Sequence, residues 1–294
     1  MKKQIPFKGL CTALVTPMKE GKVDYFALEK LISFQIEAGV DGVLLLGTTG
    51  EASTLTPAEK REIAKMGRAL TKGKTKYILG CGANSTKEAL QLCQNAVDFE
   101  ADGILLVTPY YNKGTEEGII RHFLTLAENI PLPQILYHVP GRTGVHFTLR
   151  QIETLSRHEN IVGLKEAHPD MDWLQDEMAV AGENLVFYGG NDSLVIPTLS
   201  LGGMGLISVI SNIFPKETKA ILDFYEAGER EKSLAAKNRL LPLMRLLFRE
   251  TSPAPIKYAL SCKGMIENEL RLPMTGVSEG LAEKIKDTLA ELSS

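Results

Sequence analysis

Eight short runs of apolar residues, separated by longer amphipathic stretches, constrain this chain more than any other feature. Most of the runs are apolar nearly throughout, which is typical of parallel strands that are covered on both faces. Repeated strand–helix units of this kind form either a closed (β/α)8 barrel or an open, doubly wound sheet. The runs are Leu10–Thr16, Gly42–Leu46, Tyr77–Cys81, Gly103–Thr108, Gln134–Val139, Ile161–Lys165, Leu185–Tyr188 and Gly205–Val209.

The barrel is the architecture that the sequence favours. No Gly-x-Gly-x-x-Gly follows a strand-like run, so the dinucleotide site typical of a doubly wound sheet is not indicated. Residues 1–214 are predicted to form an α/β fold of the TIM-barrel type. Residues 215–294 contain helix-like patterns and no strand, and are predicted to form a C-terminal helical extension packed on the barrel.

Charge and cysteine usage exclude several classes of function. The formal net charge is −3, which gives no electrostatic reason to expect a nucleic-acid or acidic membrane partner. The four cysteines lack CxxC spacing and the histidines lack metal-ligand spacing, so no metal site is indicated. No apolar run approaches the ~20 residues that span a bilayer. A cytoplasmic protein is therefore expected by default.

Lys165 is the residue that most clearly indicates chemistry. It closes the apolar run Ile161–Leu164, and active sites of such barrels lie at the carboxyl ends of the strands. Desolvation at a crowded barrel mouth lowers the pKa of a lysine and yields the neutral amine that attacks a ketone. A lysine that reaches solvent or pairs with Glu166 is the plainer alternative. The hydroxyls and the arginine at neighbouring strand ends favour the catalytic interpretation.

Those neighbouring side chains each have a functional and a structural interpretation. Tyr137 could transfer protons or be a core aromatic residue, and Thr48 and Thr49 could bind a carboxylate or cap a turn. Arg142 follows a Pro-Gly bend, and its planar guanidinium group is suited to bind a carboxylate. The sequence is equally consistent with an arginine that lies on the surface and has no such role. His138 should point to the opposite face of its strand from Tyr137, which favours a structural role.

At these positions the chain resembles the dihydrodipicolinate synthase and N-acetylneuraminate lyase family of class I aldolases, over essentially its whole length. The combination is most similar to the members that condense pyruvate with L-aspartate 4-semialdehyde in diaminopimelate and lysine biosynthesis. The segments that carry the resemblance are Thr12–Pro17, Gly47–Glu51, Thr108–Asn112, Arg142–Gly144 and Leu270–Thr275.

The resemblance implies a set of catalytic residues. Lys165 forms the Schiff base, while Tyr137, Thr48 and Tyr111 form a proton relay. Tyr111 comes from a neighbouring subunit, because members of the family are usually homotetramers. The iminium acts as the electron sink, so no metal or organic cofactor is implied.

The resemblance also implies binding residues for two small-molecule substrates. Arg142 receives the carboxylate of the semialdehyde, and Thr49 and Ile207 lie at the pyruvate pocket. A further set matches positions that line the inhibitor site of lysine-sensitive members. These candidate allosteric residues are Asn84, Glu88 and Tyr110.

The sequence differs from the family pattern at two places, and two alternative functions are also consistent with it. His138 replaces the usual asparagine, and the segment His168–Trp173 replaces a shorter polar loop. One alternative function is a lyase of the same family that cleaves a sialic acid or a 2-keto-3-deoxy sugar acid. The other is a non-catalytic ligand-binding barrel, because fold alone does not decide function.

Overall fold

The structure, a computed structural model, describes residues 3–293. Within this range ten strands form, most of them short and apolar. The strands are β1 (Gly9–Ala13), β2 (Met18–Lys19), β3 (Lys22–Val23), β4 (Gly42–Leu45), β5 (Lys76–Gly80), β6 (Gly103–Val107), β7 (Gln134–His138), β8 (Ile161–Glu166), β9 (Val186–Gly189) and β10 (Gly205–Ser208).

Twelve α-helices form in the described residues, and a helix follows most of the strands. The helices are α1 (Tyr25–Glu37), α2 (Pro57–Thr71), α3 (Thr86–Asp98), α4 (Glu116–Asn129), α5 (Pro140–Thr143), α6 (Leu149–Ser156), α7 (Met171–Ala181), α8 (Val195–Ser200), α9 (Pro215–Glu226), α10 (Arg230–Leu246), α11 (Ala254–Cys262) and α12 (Glu279–Ser293).

Eight of the strands form one closed barrel, in the order β1-β10-β9-β8-β7-β6-β5-β4. The paired strands run parallel, and all eight coincide with the apolar runs of the sequence. The predicted (β/α)8 barrel is therefore confirmed, and the open doubly wound sheet is wrong. The remaining strands, β2 and β3, form a separate antiparallel hairpin that the sequence did not predict.

Polar side chains interrupt the apolar barrel wall at β7 and β8. Every residue of both strands is buried, as expected for parallel strands covered on both faces. Because lysine, glutamate and histidine are rarely buried without a partner, the polar ends of these two strands need a specific explanation.

The described residues fall into two compact units. Among the described residues, unit A contains residues 3–8 together with 76–207, and hence β5 to β9 and most of β10. The ammonium group of Lys3 donates hydrogen bonds of 2.5–2.7 Å to three carbonyl oxygens in the segment 156–161. These bonds hold the N-terminal segment within unit A.

Unit B contains Gly9–Thr75 together with the chain from Ser208 onward. The Asn212 side chain accepts a hydrogen bond from the Val15 backbone N–H at 3.0 Å and donates one to the Ala13 carbonyl at 2.8 Å. All four C-terminal helices, α9 to α12, belong to this unit. The predicted boundary between residues 214 and 215 remains a prediction.

No helix in residues 3–293 is both long enough and apolar enough to cross a membrane.

Candidate active site

Lys165 and Tyr137 face each other across two neighbouring strands of unit A. The register pairs Tyr137 of β7 with Lys165 of β8. The Nζ atom of Lys165 lies 4.3 Å from the centroid of the Tyr137 ring. Lys165 is 5% exposed and Tyr137 7% exposed. The sequence placed both residues at strand ends, and the structure places the amine directly against the phenol ring.

The next pair along the same strands consists of His138 and Glu166. Because successive side chains of a strand point to opposite faces, this pair lies on the other side of the barrel wall. The Nδ1 atom of His138 lies 2.6 Å from the Oε2 atom of Glu166, and both side chains are buried. His138 is thus on the face that strand alternation predicts.

Thr48 and Thr49 lie in unit B, in the turn that follows β4. The Gly50 N–H donates to the Gly47 carbonyl at 3.1 Å, which closes the turn. A Cβ atom on Gly50 would lie 3.2 Å from the Leu14 carbonyl oxygen, so the position favours glycine. In this turn Thr48 is exposed and Thr49 is buried.

Glu51 ends this turn in a strained conformation that a buried ion pair holds in place. Its φ of +52° lies in the left-handed region, which a non-glycine residue seldom adopts. Its Oε1 atom lies 2.5 Å from the Nζ atom of Lys257, which is fully buried in α11. The backbone N–H of Arg271 donates to its Oε2 atom at 3.3 Å. The turn that carries the threonines is therefore anchored to the C-terminal segment of unit B.

Lys257 was not predicted from the sequence to be part of this arrangement. A local signal existed, because Lys257 interrupts the run Ala254–Leu260, which is otherwise largely apolar. A lysine on the buried side of a helix requires an acidic partner. Which glutamate supplies it is decided only by the fold.

Tyr111 follows β6 and projects from the surface of unit A. It is 87% exposed and has a φ of +74°, a strained value for a non-glycine residue. Its backbone N–H donates to the Thr143 carbonyl at 3.4 Å, which ties its loop to the segment after β7. No part of the chain within residues 3–293 covers most of its side chain.

Arg142 and Ile207 occupy very different surroundings in unit A. Arg142 is exposed on α5, a single helical turn that starts with Pro140 and ends before Gly144, whose φ is +66°. Ile207 is fully buried on β10. Arg142 is thus exposed to solvent, whereas Ile207 lies in the barrel wall.

Two of the three candidate allosteric residues, Tyr110 and Glu88, lie near each other, and the third, Asn84, is linked to the loop that follows β6. Burial, followed by the negative charge of Glu88, raises the pKa of Tyr110, which indicates that the two side chains are near each other. The side chain of Asn112 donates to the carbonyl oxygen of Asn84 at 2.9 Å. Tyr110 is partly exposed and Glu88 is exposed.

One group of three side chains in the described residues has metal-ligating atoms close together. The ligand atoms of His138, Glu166 and Glu177 lie within 4.8 Å of one another, and all three residues are buried. The Nε2 atom of His138 accepts a hydrogen bond of 3.3 Å from the Phe147 backbone N–H, so its proton lies on Nδ1. Since Nδ1 donates to Glu166, the group is a hydrogen-bonded network in this structure.

Comparison with known proteins identifies what the chain resembles. Residues 6–292 match the Dihydrodipicolinate synthetase family. The 4-hydroxy-tetrahydrodipicolinate synthase of Alkaliphilus oremlandii (strain OhILAs) is 43% identical to this chain over 283 residues, which cover 96% of this chain and 98% of that protein.

Solved structures give the same result. The crystal structure of a dihydrodipicolinate synthase from Thermotoga maritima has a TM-score of 0.96 at 39% identity and covers 98% of this chain and 99% of that one. A chloride-inhibited dihydrodipicolinate synthase from Acinetobacter baumannii, complexed with pyruvate, has a TM-score of 0.94 at 38% identity, with coverage of 97% and 99%.

Proposed function

Because the chain belongs to the dihydrodipicolinate synthetase family, we propose that it condenses pyruvate with L-aspartate 4-semialdehyde through a Schiff base on Lys165. The reaction makes it a lyase of diaminopimelate and lysine biosynthesis. The observation that carries the proposal is the buried amine of Lys165, held 4.3 Å from the ring of Tyr137 at the end of two paired strands.

The burial of Lys165 suits the first chemical step. A desolvated amine is more readily neutral than an exposed one, and the neutral amine is the nucleophile. It attacks the pyruvate carbonyl carbon to give a carbinolamine, which takes up a proton on oxygen and loses water. The product is an iminium that joins the lysine nitrogen to pyruvate.

The iminium then makes the pyruvate methyl group acidic. Loss of a methyl proton gives an enamine, whose terminal carbon attacks the aldehyde carbon of the semialdehyde. The amine of the semialdehyde next attacks the iminium carbon, closes the ring and displaces the Lys165 amine. The proton transfers of these steps require a donor and acceptor beside Lys165, and the phenol of Tyr137 is within reach of that role.

The remaining residues are assigned by the family pattern. We propose that Thr48 and Tyr111 complete the proton relay with Tyr137. Arg142 is accessible and carries a planar fork that suits the carboxylate of the semialdehyde. Thr49 and Ile207 are proposed to line the pocket for pyruvate. Asn84, Glu88 and Tyr110 are the candidate allosteric residues, and we expect weak or absent inhibition by lysine.

A homotetramer in the cytoplasm completes the proposal. The exposure of Tyr111 supports an assembly, since a phenol in a proton relay must be shielded from bulk water. A neighbouring copy of the chain is the cover that the family pattern indicates.

Trapping the imine tests the mechanism directly. After incubation with pyruvate and borohydride, mass spectrometry is expected to find a pyruvate-derived adduct on Lys165. The variant Lys165→Ala should carry none, while Lys76→Ala, which removes an exposed lysine, should be labelled like the wild type. An adduct of equal extent in Lys165→Ala would overturn the assignment of the lysine.

The acceptor is tested in a second assay. We expect turnover of pyruvate with L-aspartate 4-semialdehyde and no cleavage of sialic acid or 2-keto-3-deoxy sugar acids. Cleavage of a sugar acid without turnover of the semialdehyde would instead assign the chain to another lyase of the family.

A further inference from the structure

Behind the Lys165–Tyr137 pair, unit A contains a buried cluster of one imidazole and two carboxyl groups. We define the acid–histidine cluster as His138, Glu166 and Glu177. His138 and Glu166 are the residues that follow Tyr137 and Lys165 on β7 and β8, and they form the adjacent pair in the register. Glu177 comes from α7, and its carboxylate Oε1 lies 3.4 Å from Nδ1 of His138.

Hydrogen bonds fix the protonation of the imidazole. The Phe147 N–H donates to Nε2 of His138, so that nitrogen carries no proton. The single ring proton is therefore on Nδ1 and is donated to Glu166, 2.6 Å away. The other oxygen of Glu166 accepts a 2.5 Å hydrogen bond from the backbone N–H of His168. Glu166 is thus satisfied as a carboxylate.

Glu177 is left without a complete set of partners. Its Oε1 atom accepts a 2.7 Å hydrogen bond from the indole N–H of Trp173, but its Oε2 atom has no partner in the described residues. The residue is fully buried, and a buried carboxylate with one oxygen unsatisfied is costly. A proton on the Glu177 carboxyl removes the buried charge, and the carboxylate of Glu166 beside it is the acceptor for that proton.

The electrostatics of the cluster agree that it retains a proton at neutral pH. Burial and the neighbouring carboxylate of Glu166 raise the pKa of Glu177 to about 8, although the nearby imidazole of His138 opposes the shift. Burial disfavours a charge on His138, but the two neighbouring carboxyl groups outweigh it and raise the pKa of His138, so the cluster as a whole binds its last proton tightly. Since Phe147 occupies Nε2, the retained proton belongs on Glu177.

Other titratable groups face the cluster from the loops around it. His146 precedes α6, and its ring centroid lies 4.5 Å from that of His138. His168 lies 5.1 Å from His146 by ring centroids. The pKa of His168 is lowered, mainly by burial and then by the charges of His146 and His138. The charges of Asp170 and Glu177 oppose this shift but do not outweigh it.

We propose that protonated Glu177 is a positioning residue for the Schiff-base lysine. It acts through Glu166 and His138, whose hydrogen bond joins β7 to β8 one residue beyond Tyr137 and Lys165. Loss of the proton places two buried carboxylates against one neutral imidazole, which has a single N–H to donate. Their repulsion weakens the His138–Glu166 bond and disturbs the adjacent pair. This inference rests on the function proposed for Lys165.

A divalent cation is the competing occupant of the cluster. One imidazole and two carboxylates are a donor set that Zn²⁺ accepts. Coordination through Nδ1 of His138 would transfer the ring proton to Nε2, where it would face the Phe147 N–H. The geometry therefore favours a proton over a cation, and the experiment below distinguishes the two.

The test compares wild type with Glu177→Gln, in which the amide reproduces the shape and hydrogen bonds of the protonated acid but cannot ionise. The rate of imine formation with pyruvate is measured from pH 6 to 10. At pH 7 the variant should react within about threefold of wild type. Above pH 8 the ratio of the wild-type rate to the variant rate should fall as Glu177 ionises, and it should level off once ionisation is complete. The control Glu183→Gln, an exposed residue just after α7, should behave like wild type.

A second readout is independent of pyruvate. Trp173 is the single tryptophan of the chain, and its indole N–H donates to Glu177. Its fluorescence should titrate near pH 8 in wild type and lose this transition in Glu177→Gln. If wild type forms no imine at any pH while this transition is present, the proposed function fails and Glu177 is still shown to hold the proton.

Two results would overturn the inference. One is an alkaline fall in imine formation that is unchanged in Glu177→Gln, because ionisation of Glu177 would then have no effect on Lys165. The other is one equivalent of tightly bound metal in the purified wild type that is absent from Glu177→Gln, which would assign the cluster to a cation.

Discussion

At the scale of single residues, two buried lysines show how surroundings decide the role of the same side chain. Lys257 is fully buried with its ammonium 2.5 Å from the Glu51 carboxylate. Lys165 is nearly as buried but lies against the ring of Tyr137. The Glu51 carboxylate favours the charged form of Lys257 and opposes the effect of burial, which lowers the pKa of this lysine. Lys257 is therefore structural, and Lys165 is the candidate nucleophile.

Removal of Lys257 should be strongly destabilising. The variant Lys257→Met leaves Glu51 buried without its cation, and breaking a buried pair in this way costs about 3–5 kcal/mol of unfolding free energy. Urea denaturation at pH 7 measures the loss.

The matched control is Lys219→Met, which removes a partly exposed lysine from its pairs with Asp41 and Asp223. It should cost no more than about 1 kcal/mol, because solvent screens such pairs. Equal losses in the two variants would contradict the assignment of Lys257 to a buried, structurally essential ion pair.

At the scale of elements, a single arginine in the C-terminal segment joins three parts of unit B. Both guanidinium Nη atoms of Arg271 donate to the carboxylate of Glu59, in the first turn of α2, at 2.8 and 2.5 Å. They also donate to the carbonyl oxygens of Thr54 and Gly21, which lie before α2 and between β2 and β3. The hydrogen bond from Arg271 is the main cause that lowers the pKa of Glu59 to about 2.

Replacing the guanidinium group of Arg271 by a single ammonium group should weaken its contacts with these three parts of unit B. Arg271→Lys cannot bond both oxygens of Glu59 and both carbonyls, so we expect a loss of about 1–2 kcal/mol at pH 7. A lowered carboxyl pKa stabilises the fold above the ordinary value of 4.5, and this contribution is lost as the pH falls toward 2. The difference between wild type and Arg271→Lys should therefore shrink from pH 7 to pH 3 in urea denaturation.

Arg157→Lys is the control for this prediction, since its pair with Glu153 is exposed on α6. It should change the unfolding free energy by less than about 0.5 kcal/mol at either pH. A difference between wild type and Arg271→Lys that does not depend on pH would show that Glu59 is not the partner that matters.

At the scale of the whole molecule, the exposed Tyr111 makes assembly part of the proposed chemistry. A side chain that is 87% exposed in its own subunit acts in a relay only where another copy covers it. In a two-fold symmetric contact each subunit gives its Tyr111 to the other, so one dimer contains two composite sites.

Mixing two inactive variants tests this arrangement. Tyr111→Phe and Lys165→Ala should each be nearly inactive, but a mixed dimer has one site with both native residues. Random reassociation of equal amounts should therefore restore about a quarter of wild-type activity. If the mixture stays inactive although mass spectrometry detects mixed oligomers, Tyr111 acts within its own subunit. Sedimentation velocity should find a tetramer.

The fold could be predicted from the sequence because its signals are local. Each apolar run spans only a few residues, and the switch from strand to helix is marked by polar caps such as Thr56 and Thr148. Both of these form a full capping box in the structure. The β2–β3 hairpin was missed because two-residue strands carry no periodic signal. Lys165 and Tyr137 could be named because a polar residue at the end of an apolar strand is itself a local pattern.

What the sequence by itself determined, then, is which residues are buried and at which strand ends the polar groups lie. Only the tertiary structure decided their partners. Glu51 and Lys257 are 206 positions apart, and Glu177 reaches His138 because α7 packs beside β7 and β8. The periodicity of apolar residues indicates whether a side chain faces the core. The ionisation state of a buried group depends instead on its neighbours, and only folding brings those within a few ångströms.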